Sequence, residues 1–530
     1  MFTRWPGRNR QNRKSSEYGR NDRRETPAKL GTSLAETLDA IRLRMGTSPD
    51  IVIREWAEAD GTQGPKSAVC YVDGLVDAER LTELLESVAG LAADATVTPE
   101  TAFSTAKRHI PFGGVATLDK TEDVCSCMLD GCAVVLFDGS PVAAAVSIPG
   151  GARRAVEEPS SQTVIRGPKE GFTEDLSTNL ALVRRKLRTP DLRVESLTIG
   201  RYTQTKVAVL HLQGVANDEV VKEVGLRLRA IDTDSILESG YIEELIQDAA
   251  VTPFPTLMNT ERPDTVAGCL LEGQVAVFVD GTPFVLIAPI TFFKFFQSSE
   301  DYYQRYDISS FLRVIRLTSF LVAMLLPSLY IAVTTFHQEM LPTTLLISLA
   351  AQREGTPLPA VLEALLMEIT FEIIREAGVR MPRAIGPAIS IVGALVLGQA
   401  AVQAGLVSAA MVIVVSFTAI SNFVLPTINM AATVRLIRFA LMFLAGTLGL
   451  FGIIAGLVPL LVHLVSLRSF GVPYFMPVAP FRKGNWKDLF TRVPWWAMKR
   501  RPAGIATGNL SRQADEQRPK PPPASGRKEN

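Results

Sequence analysis

The chain has 530 residues, with 55 Lys plus Arg, 54 Asp plus Glu, four His and five Cys. A net charge of +1 argues against a dedicated nucleic-acid binder, and five Cys in this length exclude a disulfide scaffold. Counted by segment, the charge is +6 over residues 1–30, −16 over 31–310, +3 over 311–481 on only 15 charged residues, and +8 over 482–530.

Residues 1–30 hold no apolar run of the roughly 7–15 residues that a secretory signal needs. They are expected to be a disordered basic tail, and the acidic region behind them is expected to be cytoplasmic.

That acidic region is an internal repeat. Residues 124–141 (VCSCMLDGCAVVLFDGSP) and 266–283 (VAGCLLEGQVAVFVDGTP) share eight of 18 positions at an offset of 142. Tyr71-Val72-Asp73-Gly74 matches His211-Leu212-Gln213-Gly214 at an offset of 140. Two related α/β subdomains follow, over 31–150 and 172–292. Each opens with an amphipathic helix (Leu34 to Met45; Leu176 to Leu187). Each continues with a strand at Ala68–Val72 or Val207–Leu212 and a helix at 77–90 or 218–229. Each closes with a hairpin at Asp138-Gly139 or Asp280-Gly281, read as a two-residue turn with positive φ at both positions.

Cys125, Cys127 and Cys132 form C-x-C-x4-C, which suggests either metal or packing. The second copy replaces two of the three with Ala267 and Gln274 and keeps Cys269, which favours packing, and no metal site is expected. A linker over 151–171 contains Ile165-Arg-Gly-Pro-Lys-Glu-Gly-Phe172. Arg166, Lys169 and Glu170 are candidates there for an inter-domain or inter-subunit loop, or for a ligand loop.

Residues 293–481 read as a transmembrane domain. Phe311 to Phe336, Ile385 to Ala404, Leu406 to Leu425 and Leu436 to Leu467 are long enough to span, since about 20 apolar residues cross a bilayer core. Arg313 and Arg316, the 375–383 loop and Arg435 with Arg438 mark cytoplasmic edges. One return crossing is then required between His337 and Arg375, and only Leu358 to Ile374 can supply it. Glu368, Glu372 and Glu376 on that stretch fall within about an 80° arc, with Glu363 well away from them. The arc is either pore-lining in an assembly of copies or the solvated face of an interfacial helix. The 436–467 run is either one long helix or a hairpin turning near Gly446, Gly449, Gly452 or Gly456; the basic residues after it favour the hairpin. His337 and Glu339 are expected at the outer interface. Residues 482–530 are expected to be a basic, largely disordered cytoplasmic tail.

The fold class expected is a multi-domain membrane protein: a duplicated α/β cytoplasmic domain followed by an all-α polytopic transmembrane domain. GxSxG, GxGxxG, HExxH and CxxC are all absent from the sequence, so no enzyme activity and no cofactor are expected.

Seven stretches then carry a resemblance. They are IRGPKEGF (165–172), PFPTLMNTERPDTVAGCLLEGQVAVFVDGTP (253–283), EDYY (300–303), FHQEMLP (336–342), FEIIREAGVRMP (371–382), GALVLGQAAVQAG (393–405) and FGVPYFMPVAP (470–480). In this order and over about 31–481, they resemble the A subunit of the GerA-type spore germination receptors. The resemblance implies a multi-pass protein of the spore inner membrane that acts in nutrient-triggered germination. It implies a permease-like B subunit and a lipoprotein C subunit as partners. It also implies self-association, as a homo-pentamer, into a ligand-gated channel for monovalent cations. A late-sporulation paralogue of the same family has similar motifs. Secondary transporter and membrane-anchored scaffold are the alternatives outside the family, and the first is disfavoured because the duplication lies in the soluble part.

Overall fold

The computed structural model describes residues 29–519, apart from 57–64, 95–96, 111–113, 151–158, 160–161, 382–395 and 516. The expected basic tail therefore lies outside the described residues except for Lys29 and Leu30, and Leu30 is buried. The chain divides into two compact units. The first runs to Gly46 and includes Val52–Val72 and Val76–Pro149. The second holds everything from Gly150 onward together with Thr47–Ile51 and Asp73–Leu75.

The first α/β half contains α1 (Leu34–Met45), β1 (Ile51–Trp56), β2 (Ser67–Val72), α2 (Ala78–Ala93), α3 (Pro99–His109), β3 (Val115–Leu118), α4 (Thr121–Leu129), β4 (Cys132–Phe137) and β5 (Ala143–Ser147). The second repeats the order: α5 (Leu176–Lys186), β6 (Leu192–Ile199), β7 (Thr205–Leu212), α6 (Asp218–Arg229), α7 (Ser239–Ile246), β8 (Met258–Thr260), α8 (Pro263–Leu271), β9 (Val275–Val279) and β10 (Val285–Ala288). The sheet orders are β1-β2-β4-β5-β3 and β6-β7-β9-β10-β8, which is one topology twice.

The register repeats as well. Ser67 pairs with Phe137, and Val207 with Val279. Val135 pairs with Ala144, and Val277 with Leu286. These are the two sequence offsets acting on paired strands. In the second sheet, alternate residues serve two faces. Ala208, Leu210, Ala276 and Phe278 pack with α5 and α8, while Val207, Val209, Val275 and Val277 pack with α6 and α7.

The two hairpins are not the expected two-residue turns. β4 ends at Phe137 and β5 begins at Ala143; β9 ends at Val279 and β10 begins at Val285. Only the glycines take positive φ, 83° at Gly139 and 89° at Gly281. The aspartates instead receive the start of the first helix. Leu34 N donates to Asp138 Oδ1 at 2.9 Å, and Leu176 N donates to Asp280 Oδ1 at 3.1 Å. The Asp-Gly signal is a helix-capping loop, which explains why both copies keep it.

The second unit continues into helices without a break in its core. Phe292, Phe293, Phe295 and Phe296 join the α5/α8 face to Phe320, Met324 and Met430. Phe292 alone has six aromatic neighbours with ring centroids 5.2–6.2 Å away, Phe254, Phe293, Phe296, Phe320, Tyr474 and Phe475. The helices are α9 (Tyr306–Thr335), α10 (Thr343–Glu354), α11 (Ala360–Arg380), a stretch over 396–403, Ala409–Phe423 and Ile428–Ser466. Two of them, Tyr306–Thr335 and Ile428–Ser466, are long and apolar enough to cross a membrane. Ala409–Phe423 is apolar but shorter than a span, and most of the expected 385–404 span lies outside the described residues.

Ile428–Ser466 turns back on itself. Gly449 has φ 63° and ψ −141°, which no α-helix contains. A side chain at Gly456 would meet Leu441 and Leu444. Both far ends reach one loop: Thr433 donates to Pro253 O, and His463 Nε2 lies 2.9 Å from Thr252 Oγ1. The arms, 428–448 and 450–466, measure about 31 and 25 Å. The structure thus resolves the open choice in favour of the hairpin.

The expected disordered tail over 482–530 is folded as far as Asp515. Leu489, Met498, Ile505 and Ala506 are buried. Asn509 N donates to Gly214 O at 2.7 Å, and Arg501 Nε to Leu271 O at 2.7 Å. Aromatic anchors such as Trp486, Phe490 and Trp495 hold a segment whose Arg and Pro content suggested disorder.

Candidate functional site

The contacts at the helix ends set their directions. α9 begins beside Asp301 and ends at Phe336, which faces Gly449. α11 comes back: Val361 packs on Gly446, and Glu372 reaches Arg435. The Ala409–Phe423 helix also returns, from Ser408 beside Glu363 to Thr427, whose hydroxyl donates to Phe295 O at 3.4 Å. Six charged groups meet here: Glu363, Glu368, Glu372, Arg375, Arg435 and Arg438.

Glu368 and Arg438 form an ion pair at 2.9 Å with both side chains 1% exposed. Glu372 receives Arg435 and Arg375 at 2.9 Å each and Arg438 at 3.4 Å. Glu363 is fully buried; its Oε1 accepts from the backbone N and the Oγ of Ser408, both at 2.5 Å, and its Oε2 has no partner. Glu376 is exposed and pairs with Arg380 at 2.7 Å. The outward face of α11 is Leu362, Leu366, Ile369 and Ile373. Within one chain, Glu368 and Glu372 therefore turn to their own arginines, and only Glu376 of the expected acidic arc is outward. The sequence signal missed was Arg438 itself: a lone cation in a 32-residue apolar run needs an internal partner.

A second cluster joins the α/β part to α9. Asp301, buried in the turn before the helix, binds Arg313 at 2.9 Å and Arg316 at 2.7 Å. Arg313 also binds Asp488 at 2.7 Å, and Tyr302 Oη donates to Asp488 at 2.6 Å. Burial raises the Tyr302 phenol well above its ordinary value, so it remains a donor. Three chain regions, 301–302, 313–316 and 488, are thus tied at the foot of α9. Reading Arg313 and Arg316 only as topology markers overlooked this.

The 165–172 loop is held by its own unit. Arg166 N donates to Glu300 at 3.3 Å, Glu170 accepts from Lys186 at 2.9 Å, and Pro168 O accepts from Arg262 at 3.0 Å. Gly167, at φ 141°, has the Tyr303 ring where a side chain would stand. Lys169 lies in the same loop and is exposed. His337 lies against Gly449 at the end of α9, and Glu339 nearby is exposed.

The cysteines are all free thiols. Cys125 and Cys127 are on α4, and Cys132 opens β4. Burial pushes Cys70 and Cys269 up to about 12 and Cys125 up to about 11. A thiol hydrogen bond between Cys127 and Cys132 holds one thiol of the pair below its ordinary value and the other above it.

The model of the Bacillus/Clostridium GerA spore germination protein family matches residues 39–504. The chain is 48% identical over 506 residues to spore germination protein KA of Bacillus subtilis, covering 95% of this chain and 92% of that one. It is 44% identical over 492 residues to the uncharacterized membrane protein YfkQ of the same organism, covering 93% and 95%. A crystal structure of the N-terminal domain of the A subunit of the Bacillus megaterium spore germinant receptor GerK3 is 41% identical. It covers 50% of this chain and 98% of that one, with a TM-score of 0.40.

Proposed function

The chain belongs to the GerA spore germination protein family, and from that premise we propose that it is the A-type subunit of a germinant receptor in the spore inner membrane. The observation that carries this is the match itself: the family model runs through both α/β halves and the helices alike, residues 39–504. In this reading α9, α11, the Ala409–Phe423 helix and the two arms of the Gly449 hairpin are membrane-embedded. The α/β part and the C-terminal segment share the cytoplasmic side, consistent with α9 starting, and the hairpin ending, next to residues 252–301.

The subunit works with a permease-like B subunit and a lipoprotein C subunit, and assembles with copies of itself, as a pentamer, to pass monovalent cations. Glu376 is then the acidic group of α11 best placed for a path shared between copies. Glu363, Glu368 and Glu372 hold the helices of one copy together. Arg166, Lys169 and Glu170 fix the loop between the halves. His337 and Glu339 mark the outer end. The cluster at Asp301 gives a rigid route from a cytoplasmic change to α9, because neither arginine can leave its carboxylate without exposing a buried charge.

Deletion of the gene followed by a germination screen over amino acids and sugars tests the role. Loss of response to a particular nutrient is expected; normal germination on every nutrient, in a strain without other receptors, removes it. Potassium flux from liposomes holding the purified chain tests the channel, and Glu376→Gln is expected to change it.

A further inference from the structure

The second unit contains a cavity of about 370 Å³ on the outer side of α8, away from the membrane helices' charge pairs. This size falls in the range of small-molecule sites, about 300–1,000 Å³. Its floor is α8 at Gly268 and Leu271, one wall is the 297–303 turn, and the other is Trp495, Arg501 and Arg512 from the C-terminal segment. Tyr302 and Trp495 stand with ring centroids 5.8 Å apart.

Charge in this cavity does not balance. Asp264 is committed to Arg262, at 2.7 Å, and accepts from Tyr303 Oη, also at 2.7 Å. Glu272 is shared between Lys294 at 2.9 Å and Arg512 at 3.1 Å. Arg501, among the described residues, has only carbonyl partners: Leu271, Asn509 and Ser511. Three cations, Lys294, Arg501 and Arg512, therefore line the cavity, and the one carboxylate they have, Glu272, serves two of them. Burial, and then the neighbouring Arg512, hold Arg501 below its ordinary value, as expected for a guanidinium short of counter-charge. A side chain at Gly268 would meet nothing within 4 Å, so the floor is open. The matching residue of the first half is Ser126.

We propose that this cavity binds a small organic anion, a carboxylate or phosphate head on an apolar or aromatic body. The head meets Arg501 and Arg512, and the body packs against Trp495 and Leu271. The ligand then rests on the same turn whose Asp301 holds Arg313 and Arg316, so its binding firms the foot of α9. Neither part depends on the germination role.

The test is calorimetric titration of the purified full chain in nanodiscs with benzoate, phenyl phosphate, benzamide and inorganic phosphate. Benzamide is the neutral counterpart of benzoate. At least one aromatic anion is expected to bind about tenfold or more tighter than benzamide, the worth of a charge-assisted hydrogen bond, and which one binds better assigns the head group. Gly268→Phe should fill the floor and abolish binding with an unchanged melting temperature; Gly268→Leu serves if the larger residue disturbs folding. Hydrogen exchange over 299–316 should slow when the anion is bound. Equal binding of benzamide, no binding of either aromatic anion, inorganic phosphate as tight as phenyl phosphate, or unaltered affinity in the filled variant would each overturn the site. Unchanged exchange over 299–316 would overturn the link to α9.

Discussion

Glu368 and Arg438 give the sharpest test of how the helices are held. Both side chains are 1% exposed and 2.9 Å apart. Replacing Arg438 by Met leaves Glu368 with no cation among the described residues, while Glu372 keeps Arg435 and Arg375. An uncompensated buried charge costs about 3–5 kcal/mol. Glu368→Gln is milder, because Arg438 retains Glu372 at 3.4 Å; about 2 kcal/mol is expected, below the cost of leaving a buried charge unpaired. The double variant removes both charges and should cost less than Arg438→Met alone. The coupling is then at least about 2 kcal/mol. Unfolding of the purified full chain in detergent, followed by tryptophan fluorescence, measures all four corners of the cycle. Single effects that add to within about 0.5 kcal/mol would refute the pairing. So would a Glu368→Gln protein with unaltered stability but altered ion selectivity, because Glu368 would then face an ion path and not Arg438.

Three further outcomes follow from the geometry. Gly449→Ala should destabilise by about 1–3 kcal/mol, given the positive φ and the His337 ring in its path; a straight helix through this point would instead gain about 1 kcal/mol from the same change, so the sign in a melting experiment decides. Asp138→Ala and Asp280→Ala should each cost about 1 kcal/mol and speed hydrogen exchange at the first turn of α1 or α5, with Asn retaining most of the effect. Burial, and then Glu238, raise Glu243 to about 7. Its folded-state value lies above its ordinary one, so its contribution is complete below about pH 4.5 and is lost as pH rises through 7. Glu243→Gln should flatten the pH dependence of the melting temperature across that window, and an unchanged slope would count against it.

The fold was legible where the sequence repeated itself. Offsets of 142 and 140 became paired strands with matching registers, because a duplicated sheet must keep both its hydrogen-bond partners and its alternating faces. The Asp-Gly pairs were visible but misread, since a local turn preference does not reveal a helix start 104 residues away in sequence. The short strands β3 and β8 and the helices α3 and α7 carry weak periodicity and were not found. A helix at the place of α11 was legible from charge and length alone. Its electrostatics were not: helical spacing places Glu368, Glu372 and Glu376 on one arc but cannot say that Arg435 and Arg438 occupy the neighbouring helix. The C-terminal segment was misjudged for a related reason, because composition averages hide a few anchoring aromatics.

The two halves began alike, so their differences mark what the second was recruited to do. Asp130 in the first half corresponds to Glu272 in the second, and the longer side chain meets Lys294 and Arg512. Cys132 corresponds to Gln274, whose amide donates to Pro289 O at 2.7 Å and so ties β9 to the chain leaving β10. Ser126 corresponds to Gly268, where the floor of the cavity opens. All three lie at the end of α8 or the start of β9, next to the turn that feeds α9. A helix end that could have remained a solvent-facing loop has become the seat for the C-terminal segment and for the foot of the first long helix. Restoring the first copy's residues there, as Gly268→Ser and Glu272→Asp together, should therefore loosen residues 495–512 while leaving the second sheet's own exchange protection intact. Loss of protection in β7 and β9 instead would mean that these positions maintain the sheet, and that the divergence between the halves is unrelated to the junction.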